Sequence, residues 1–393
     1  MIEDLAFLEE RAAGAGLAGI PTKVRNGERL TPEDGLALYR TPDLALLGVL
    51  ADEVRRRRHG DVAYYNVNLH LNYTNWCNKF CTFCAFQRRP KDDGAYCLSP
   101  EEVHAALAEA PAEITEVHMV AGVWPALPYA YYLDILRAAK AARPDVHVKA
   151  FTMVEVDQIV KTAGKPLGDV LAELQEAGLD SLPGGGAEVF SERVRQELYP
   201  KKMGAERWLE LAGELHRFGF KTNCTMLYGM TETLEERVEH LTALRELQDR
   251  SLAAETGGGF QTYVPLAFHP EGTGLAHLPM PTAPERLRSV AVGRLFLDNV
   301  PHVKAYWVMM GLETAQTALN HGADDLDGTV TQERIYHDAG SRAPQRLDRG
   351  RLHRLIREAG FVPVERDTLY RELRRFEEPS EDEAVARTPV LEV

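Results

Sequence analysis

Along most of this chain, segments with the apolar and polar spacing of a strand alternate with segments that have the spacing of a helix. Short β-rich runs, the first at 62–71, are each followed by longer segments with helical spacing, such as 129–142. The pattern predicts further strands at 116–120, 146–152, 179–182, 221–227, 260–265, 302–308 and 324–326, and further helices at 167–177, 206–218, 234–248, 284–297 and 314–319. Repeated alternation of this kind predicts an α/β fold: a parallel (β/α)8 TIM-type barrel with its helices outside.

The segments on either side of this alternation differ in character. Residues 1–60 have helical patterning, and the run Thr31-Pro32-Glu33-Asp34 combines a hydroxyl cap, a proline and two acids, as helix starts do. After Gln345 we expect a helix and then the apolar run 361–364, and from Glu377 the chain is acidic and poor in apolar residues. We therefore expect an N-terminal helical segment (1–60), a barrel domain (61–345) and a C-terminal extension (346–393) with a loosely held acidic tail.

Composition narrows the class of protein. The 393 residues are 45% hydrophobic and 26% charged, which is ordinary for a globular chain. The formal net charge of −14 argues against nucleic acid as a partner, because phosphate binding needs clustered cations. The chain lacks both the run of about 18 apolar residues that a membrane span needs and the layout of a signal peptide. We expect a cytoplasmic protein with no membrane partner.

Three closely spaced cysteines carry the clearest chemical signal. Cys77, Cys81 and Cys84 have C-x3-C-x2-C spacing, which suits three irons of a 4Fe-4S cluster and leaves the fourth iron open. A structural zinc site is the alternative, but it would need a fourth ligand and usually a second cysteine pair. A disulfide fits poorly with three clustered cysteines. Cys97 and Cys224 lie outside the motif and are expected not to be ligands.

This cysteine run resembles the signature of the radical S-adenosylmethionine (SAM) superfamily. Other parts of the chain resemble, more narrowly, the aminofutalosine synthase family of menaquinone biosynthesis, in a subgroup that includes dehypoxanthine futalosine cyclase and two radical enzymes of deazaflavin synthesis. The runs that carry this narrower resemblance are Asn72-Tyr73-Thr74-Asn75, Leu182-Pro183-Gly184-Gly185-Gly186-Ala187-Glu188, Pro265-Leu266-Ala267-Phe268-His269-Pro270 and Gly322-Ala323-Asp324-Asp325. The resemblance implies that SAM chelates the open iron and that an electron from the cluster releases a 5′-deoxyadenosyl radical.

The resemblance also implies site residues at the carboxyl ends of the predicted strands. Phe83 and the small pair Ala121-Gly122 would present backbone groups to SAM, because small residues let a ligand approach the main chain. Glu188 would bind the ribose hydroxyls of SAM, Arg207 its carboxylate, and Thr152 and Glu155 are further candidates. His118 and His147 are expected to be ordinary strand residues.

The substrate that the resemblance implies is an enol ether with two carboxylates, 3-[(1-carboxyvinyl)oxy]benzoate. An acidic protein must place cations locally to bind it, and Lys149, Arg193 and His269 are the candidates, with His269 favoured by its place between Phe268 and Pro270. An electron donor such as flavodoxin or ferredoxin is also implied. Two alternatives stay open: the cyclase of the same pathway, in which another residue is expected at His269, and a non-catalytic scaffold for a cluster or zinc.

Overall fold

The computed structural model describes residues 5–379. Within that range the strands are β1 Val62–Asn66, β2 Asn68–His70, β3 Glu116–Met119, β4 His147–Ala150, β5 Lys221–Tyr228, β6 Gly259–Ala267, β7 His302–Val303, β8 Asp325–Gly328, β9 Val362–Arg366 and β10 Glu372–Arg375. The predicted strand 62–71 thus appears as two consecutive strands, β1 and β2.

Helices fill most of the intervals between these strands. They are α1 Leu5–Gly14, α2 Ile20–Asn26, α3 Pro32–Arg40, α4 Leu44–His59, α5 Pro100–Ala108, α6 Tyr129–Ala142, α7 Met153–Ala163, α8 Leu167–Ala177, α9 Glu192–Leu198, α10 Ala205–Arg217, α11 Leu234–Ala253, α12 Ala283–Phe296, α13 Trp307–Met310, α14 Leu312–Ala318, α15 Ile335–Asp338 and α16 Arg349–Glu358, with a 3₁₀ turn at Leu319–His321. No helix in the described part of the chain is long and apolar enough to cross a membrane.

All strand pairs except β9–β10 are parallel. The strands form three ladders, β2-β3-β4, β5-β6-β7 and β8-β1-β9-β10. Between the ladders lie isolated parallel bridges, which join Lys149 to Ser181, Leu182 to Thr222, Lys304 to Asp325 and Leu69 to Thr331. Helices connect successive parallel strands, as the alternation in the sequence predicts.

The N-terminal helices pack on the outside of this assembly. Thr31 caps α3 through a hydrogen bond from the Asp34 amide to its hydroxyl (3.2 Å), while the Asp34 carboxylate accepts the Thr31 amide (2.9 Å), so the predicted helix start is confirmed. α3 packs on α11 and α12, and α4 packs on α12. These contacts bury apolar residues of α4 such as Leu46, Leu47 and Leu50 in the same core as the strands.

Two predicted elements differ from the structure. The strand predicted at 302–308 ends at Val303, and the apolar segment Trp307–Met310 is a helical turn. This segment is buried throughout, and a short apolar run has the same pattern in a buried strand and in a buried helix. Near 179–182 only single bridges form, at Ser181 and Leu182.

The structure adds helices that the hydrophobic pattern did not predict, among them α5 and α7. Both begin with a capping box, from Ser99 to Glu102 and from Thr152 to Glu155, which is a signal that the sequence contained. The predicted acidic tail lies, from residue 380 onward, outside the described residues.

Candidate active site

One cavity of about 320 Å³ is lined by the three motif cysteines and by residues from the parallel strands. Asn223, Thr225 and Leu227 on β5 all line it, because side chains at every second position of a strand face the same side. The cysteines lie on the loop that follows β2, beyond its carboxyl end. The cavity therefore opens at the carboxyl ends of the strands, where parallel barrels carry their active sites.

The cysteine loop is held in shape by its own backbone. The Cys77 amide donates to the Arg88 carbonyl (2.9 Å), the Arg88 amide donates to the Asn75 carbonyl (2.8 Å), and the Cys84 amide donates to the Cys81 carbonyl (3.1 Å). Gln87 adds a side-chain hydrogen bond to the Cys81 carbonyl (2.9 Å). The three thiols are thus presented to one cavity by a loop with fixed ends.

The chemistry of these thiols fits a metal cluster. Burial raises the pKa of Cys81 and Cys84, and bound iron would supply the positive charge that favours their thiolates. Cys224 lies against the Thr262 carbonyl and Cys97 against the Tyr131 hydroxyl, and among the described residues no cysteine beyond the three lines this cavity. A cubane cluster in this cavity would therefore have three cysteines available as ligands, which would leave one iron without one.

The small pair Ala121-Gly122 lies against the cysteine loop. The Gly122 amide donates to the Thr74 carbonyl (2.9 Å), and a Cβ at Gly122 would lie 2.3 Å from the Trp76 carbonyl oxygen, so no side chain fits there. The Ala121 amide donates to the Glu155 carboxylate (3.1 Å). Two loops thus meet backbone to backbone at the cavity wall, and both small residues line it.

Glu155 lies behind this wall as a buried carboxylate. It accepts hydrogen bonds from the Tyr73 hydroxyl (2.6 Å) and from both the amide and the hydroxyl of Thr152 (2.7 Å each). Burial raises its pKa to about 7, against these hydrogen bonds, which lower it. Glu155 therefore positions Ala121 and Thr152 and does not itself line the cavity, whereas Thr152 does.

Glu188 reaches the cavity as an ion pair with Lys202. Its backbone is left-handed, with φ of 50°, after the glycine run. Gly184 in that run has φ of 69°, and a Cβ there would lie 1.8 Å from the Asn223 carbonyl oxygen, so only glycine fits. Burial lowers the pKa of Lys202, but the charge of Glu188 outweighs this and raises it, so the ammonium stays charged.

His269 lines the same cavity from the end of β6. Its Nε2 lies 3.0 Å from the Met309 carbonyl oxygen, which can only accept, so Nε2 carries the proton. Burial lowers the pKa of His269, which keeps the ring neutral and leaves Nδ1 as an acceptor facing away from that bond. His269 thus lies at the cavity, as does Phe83, which is in edge-to-face contact with Tyr199.

The structure does not bring three of the predicted residues to the cavity. Arg207, in the first turn of α10, pairs with Asp157 (3.1 Å) on the outside of the barrel, and Arg193 on α9 pairs with Glu236 (2.6 Å). Lys149 on β4 is buried, but its ammonium faces Glu116 (3.6 Å). In each case a carboxylate from another element holds the cation away from the cavity.

Several polar residues that sequence reasoning missed line the cavity instead. They are His70, His118, Lys202, Lys304, Asp327 and Glu333. His118 is therefore not an ordinary strand residue. For those that lie in strands, a polar residue at an inward-facing position was the available signal. The sequence alone did not show which face of each strand points into the cavity.

Comparison with known proteins agrees with this geometry. Residues 71–244 match the family model of the radical SAM superfamily, and residues 257–379 match that of the CofH/MqnC C-terminal region. Curated proteins named aminodeoxyfutalosine synthase from Thermus thermophilus and Streptomyces coelicolor are both 48% identical, over 91% of this chain and 96% and 94% of theirs. A cyclic dehypoxanthine futalosine synthase of Halalkalibacterium halodurans is less similar, at 34% over 92% of this chain and 96% of its own.

The fold has solved counterparts. The crystal structure of methylornithine synthase aligns with a TM-score of 0.68 at 18% identity, over 87% of this chain and 96% of its own, which supports a TIM-like barrel. Radical SAM enzymes use a 4Fe-4S cluster and SAM, and the cavity supplies three cysteines for that cluster. From its sequence, its fold and its three-thiolate cavity, the chain belongs to the radical SAM superfamily and, within it, to the aminodeoxyfutalosine synthase family of transferase-type enzymes.

Proposed function

We propose that this enzyme joins the 5′-deoxyadenosyl group of SAM to 3-[(1-carboxyvinyl)oxy]benzoate. The products are 6-amino-6-deoxyfutalosine, methionine and carbon dioxide or bicarbonate, and SAM is consumed as a co-substrate. The observation that carries the proposal is one cavity in which the three-cysteine loop faces a strand-lined polar floor, in a chain 48% identical to aminodeoxyfutalosine synthases. Such a cavity can hold two reactants in contact and exclude water.

Separate sets of cavity residues would hold the cluster and bind SAM. Cys77, Cys81 and Cys84 would hold the cluster, which when bound supplies the electron for cleavage of SAM. Phe83, Ala121-Gly122, Thr152 and Glu188 line the cavity beside the cysteine loop and would bind SAM. Gly122 and Gly184 let the loops that form the cavity wall pack directly on neighbouring backbone, because a Cβ would lie 2.3 Å from the Trp76 carbonyl oxygen and 1.8 Å from the Asn223 carbonyl oxygen.

His269 suits proton transfer better than carboxylate binding. Its Nε2–H is used by the Met309 carbonyl, so the neutral ring offers an acceptor at Nδ1 and no second donor. We propose that it accepts a proton or a hydrogen bond from a reacting group. Arg193, Arg207 and Lys149 stay predictions as ligand-binding residues and would need to leave their ion pairs to serve.

The finer architecture is also a proposal. If the isolated bridges at Ser181, Leu182, Lys304 and Thr331 join the three ladders, the eight parallel segments close into a ring. Residues 61–345 would then be a (β/α)8 barrel, flanked by the helical segment 1–60 and the extension 346–393. A reductant of the flavodoxin or ferredoxin type and a reducing, cytoplasmic setting suit a cluster held by thiolates.

The test follows the adenosyl group. Reconstituted enzyme is incubated anaerobically with dithionite, the enol ether and SAM labelled in its adenosyl moiety, and the products are separated by mass. We expect the label in a product that contains the adenosyl group. Recovery of the label mainly as free 5′-deoxyadenosine, in amounts equal to turnover, would assign the enzyme to hydrogen abstraction and contradict the proposal.

A further inference from the structure

The floor of the cavity holds a polar group of residues distinct from those beside the cysteine loop. Lys304 follows β7, Asp327 lies on β8, His70 on β2 and His118 on β3, and all four line the cavity. They sit in or next to strands, whereas the cysteines belong to a loop beyond the strand ends. The cysteine loop is thus at the mouth, and these four side chains lie deeper.

Lys304 is a buried ammonium with unused capacity for hydrogen bonds. The residue is 5% exposed, and its Nζ donates to Asp327 Oδ1 (2.6 Å). An ammonium has three donors, and among residues 5–379 this is the one hydrogen bond that Nζ makes. Asp327 itself is held in a left-handed backbone conformation, with φ of 70°, which a non-glycine residue rarely adopts.

Two stacked imidazoles stand beside this ammonium. The rings of His70 and His118 are parallel within 9°, with centroids 4.7 Å apart. Burial lowers the pKa of both rings and, for His70, outweighs the opposing charges of Asp327 and Glu333, so the rings are neutral. Among the described residues, His70 Nε2 is buried without a hydrogen-bond partner, and such a group costs free energy until a partner arrives.

The other charged groups of the cavity are paired or belong to the cysteine loop at its mouth. Lys202 is paired with Glu188, and Lys79 belongs to the cysteine loop at the mouth. Glu333 accepts from the Tyr336 amide (3.0 Å) and from His337 Nδ1 (3.0 Å). An anion at the floor would therefore meet the unused donors of Lys304 and the unpartnered imidazole of His70.

We propose that Lys304, together with His70, binds the ring carboxylate of the substrate at the floor of the cavity. This inference rests on the proposed function. The vinyl carbon of the enol ether must meet the adenosyl group beside the cysteine loop, so the vinyl end lies at the mouth. The benzoate carboxylate, at the opposite end of the molecule, then points to the floor, and the cavity lining also offers Val264 and the ring of Tyr306 to the aromatic part of the substrate.

The test pairs a residue change with a substrate change. The probes are the enol ether and its analogue in which hydrogen replaces the ring carboxylate, the 1-carboxyvinyl phenyl ether. For the unaltered enzyme, we expect kcat/KM to fall about 30-fold or more with the analogue. The Lys304→Met variant should lose a similar factor with the full substrate and treat both substrates alike, because the group that discriminates between them is gone.

Control variants distinguish a failure of this inference from a folding defect and from a failure of the proposed function. Lys304→Met leaves the Asp327 carboxylate buried and unpaired, so Lys304→Met/Asp327→Asn is measured beside it, with iron content and substrate-free SAM cleavage as checks. Lys91→Met, on the surface, should keep the discrimination. Equal losses with both substrates in the Lys304 variants would overturn the inference alone, whereas no adenosyl-containing product from the unaltered enzyme would overturn both.

Discussion

Gly122 lets the loop that follows β3 pack directly on the cysteine loop, because glycine has only a hydrogen atom as its side chain. The glycine backbone touches the carbonyl of Trp76, one residue before the first cysteine, and both loops line the cavity. Glycine is required here by close approach and not by backbone conformation, since its φ lies outside the left-handed range. The consequence is that a change at this residue is transmitted directly to the cysteine loop.

We predict that Gly122→Ala displaces the cysteine loop. The added Cβ would lie 2.3 Å from a backbone oxygen, which no side-chain rotation relieves. Overpacking of this kind costs roughly 1–3 kcal/mol. We expect this cost to lower the occupancy of the cluster and to slow SAM cleavage about tenfold. Iron content and product rate measure it. Gly14→Ala, where nothing lies within 4 Å, is the control, and equal behaviour of the two variants would contradict the prediction.

Among the helices, α3 and α7 begin with the same capping box but differ in their place in the molecule. Thr31 caps α3 on the outside, while Thr152 caps α7 at the cavity wall. In both, a threonine hydroxyl accepts an amide and an acidic side chain closes the box. Only at Thr152 does the acid, Glu155, also hold the Ala121 amide.

Because of this difference, we predict that both caps stabilise the fold but that only the cap at Thr152 also contributes to SAM binding. Thr31→Val and Thr152→Val should each lower the free energy of unfolding by about 1 kcal/mol, because each removes the oxygen that satisfies an orphan amide. Only Thr152→Val should also raise the KM for SAM, by roughly 3- to 10-fold. Urea unfolding and SAM-cleavage kinetics test this. A KM change of the same size in Thr31→Val would show that the cap at the wall has no special part in binding.

Across the whole molecule, the first strand lies between two of the last three strands. β1 pairs with β8 on one side and with β9 on the other, so segments far apart in sequence adjoin in one sheet. Arg366 on β9 reaches Asp325 on β8 with a hydrogen bond of 2.7 Å, and both side chains are almost fully buried. The C-terminal region is therefore part of the sheet that supports the cavity.

We predict that Arg366→Met strongly destabilises the enzyme. The change leaves the Asp325 carboxylate buried and unpaired, and breaking a buried ion pair in this way costs about 3–5 kcal/mol. Arg346→Met, which breaks an exposed pair with Glu113, should cost less than about 1 kcal/mol. Anaerobic urea unfolding of the loaded enzyme compares the two. Similar losses in both variants would mean that the buried pair does not tie β9 to β8.

The sequence by itself determined the features that depend on neighbours along the chain. Cysteine spacing predicted one site for Cys77, Cys81 and Cys84, because ligands of one cluster can come from a single loop, and all three line one cavity. The alternation of two periodicities predicted parallel strands and outer helices, since each element shows its own buried face. The glycine run before Glu188 and the Phe268-His269-Pro270 run lie at strand ends, and both reach the cavity as expected.

Only the tertiary structure decided which charged side chains face the cavity. Arg207 is turned outward by Asp157, 50 residues away in sequence, and Lys149 by Glu116, while Lys202 and Lys304 reach the cavity with Glu188 and Asp327 as partners. A long charged side chain turns toward the oppositely charged group with which it forms an ion pair. That counter-charge comes from another element, so no local pattern encodes it, and the floor of the cavity becomes visible only when the strands are assembled.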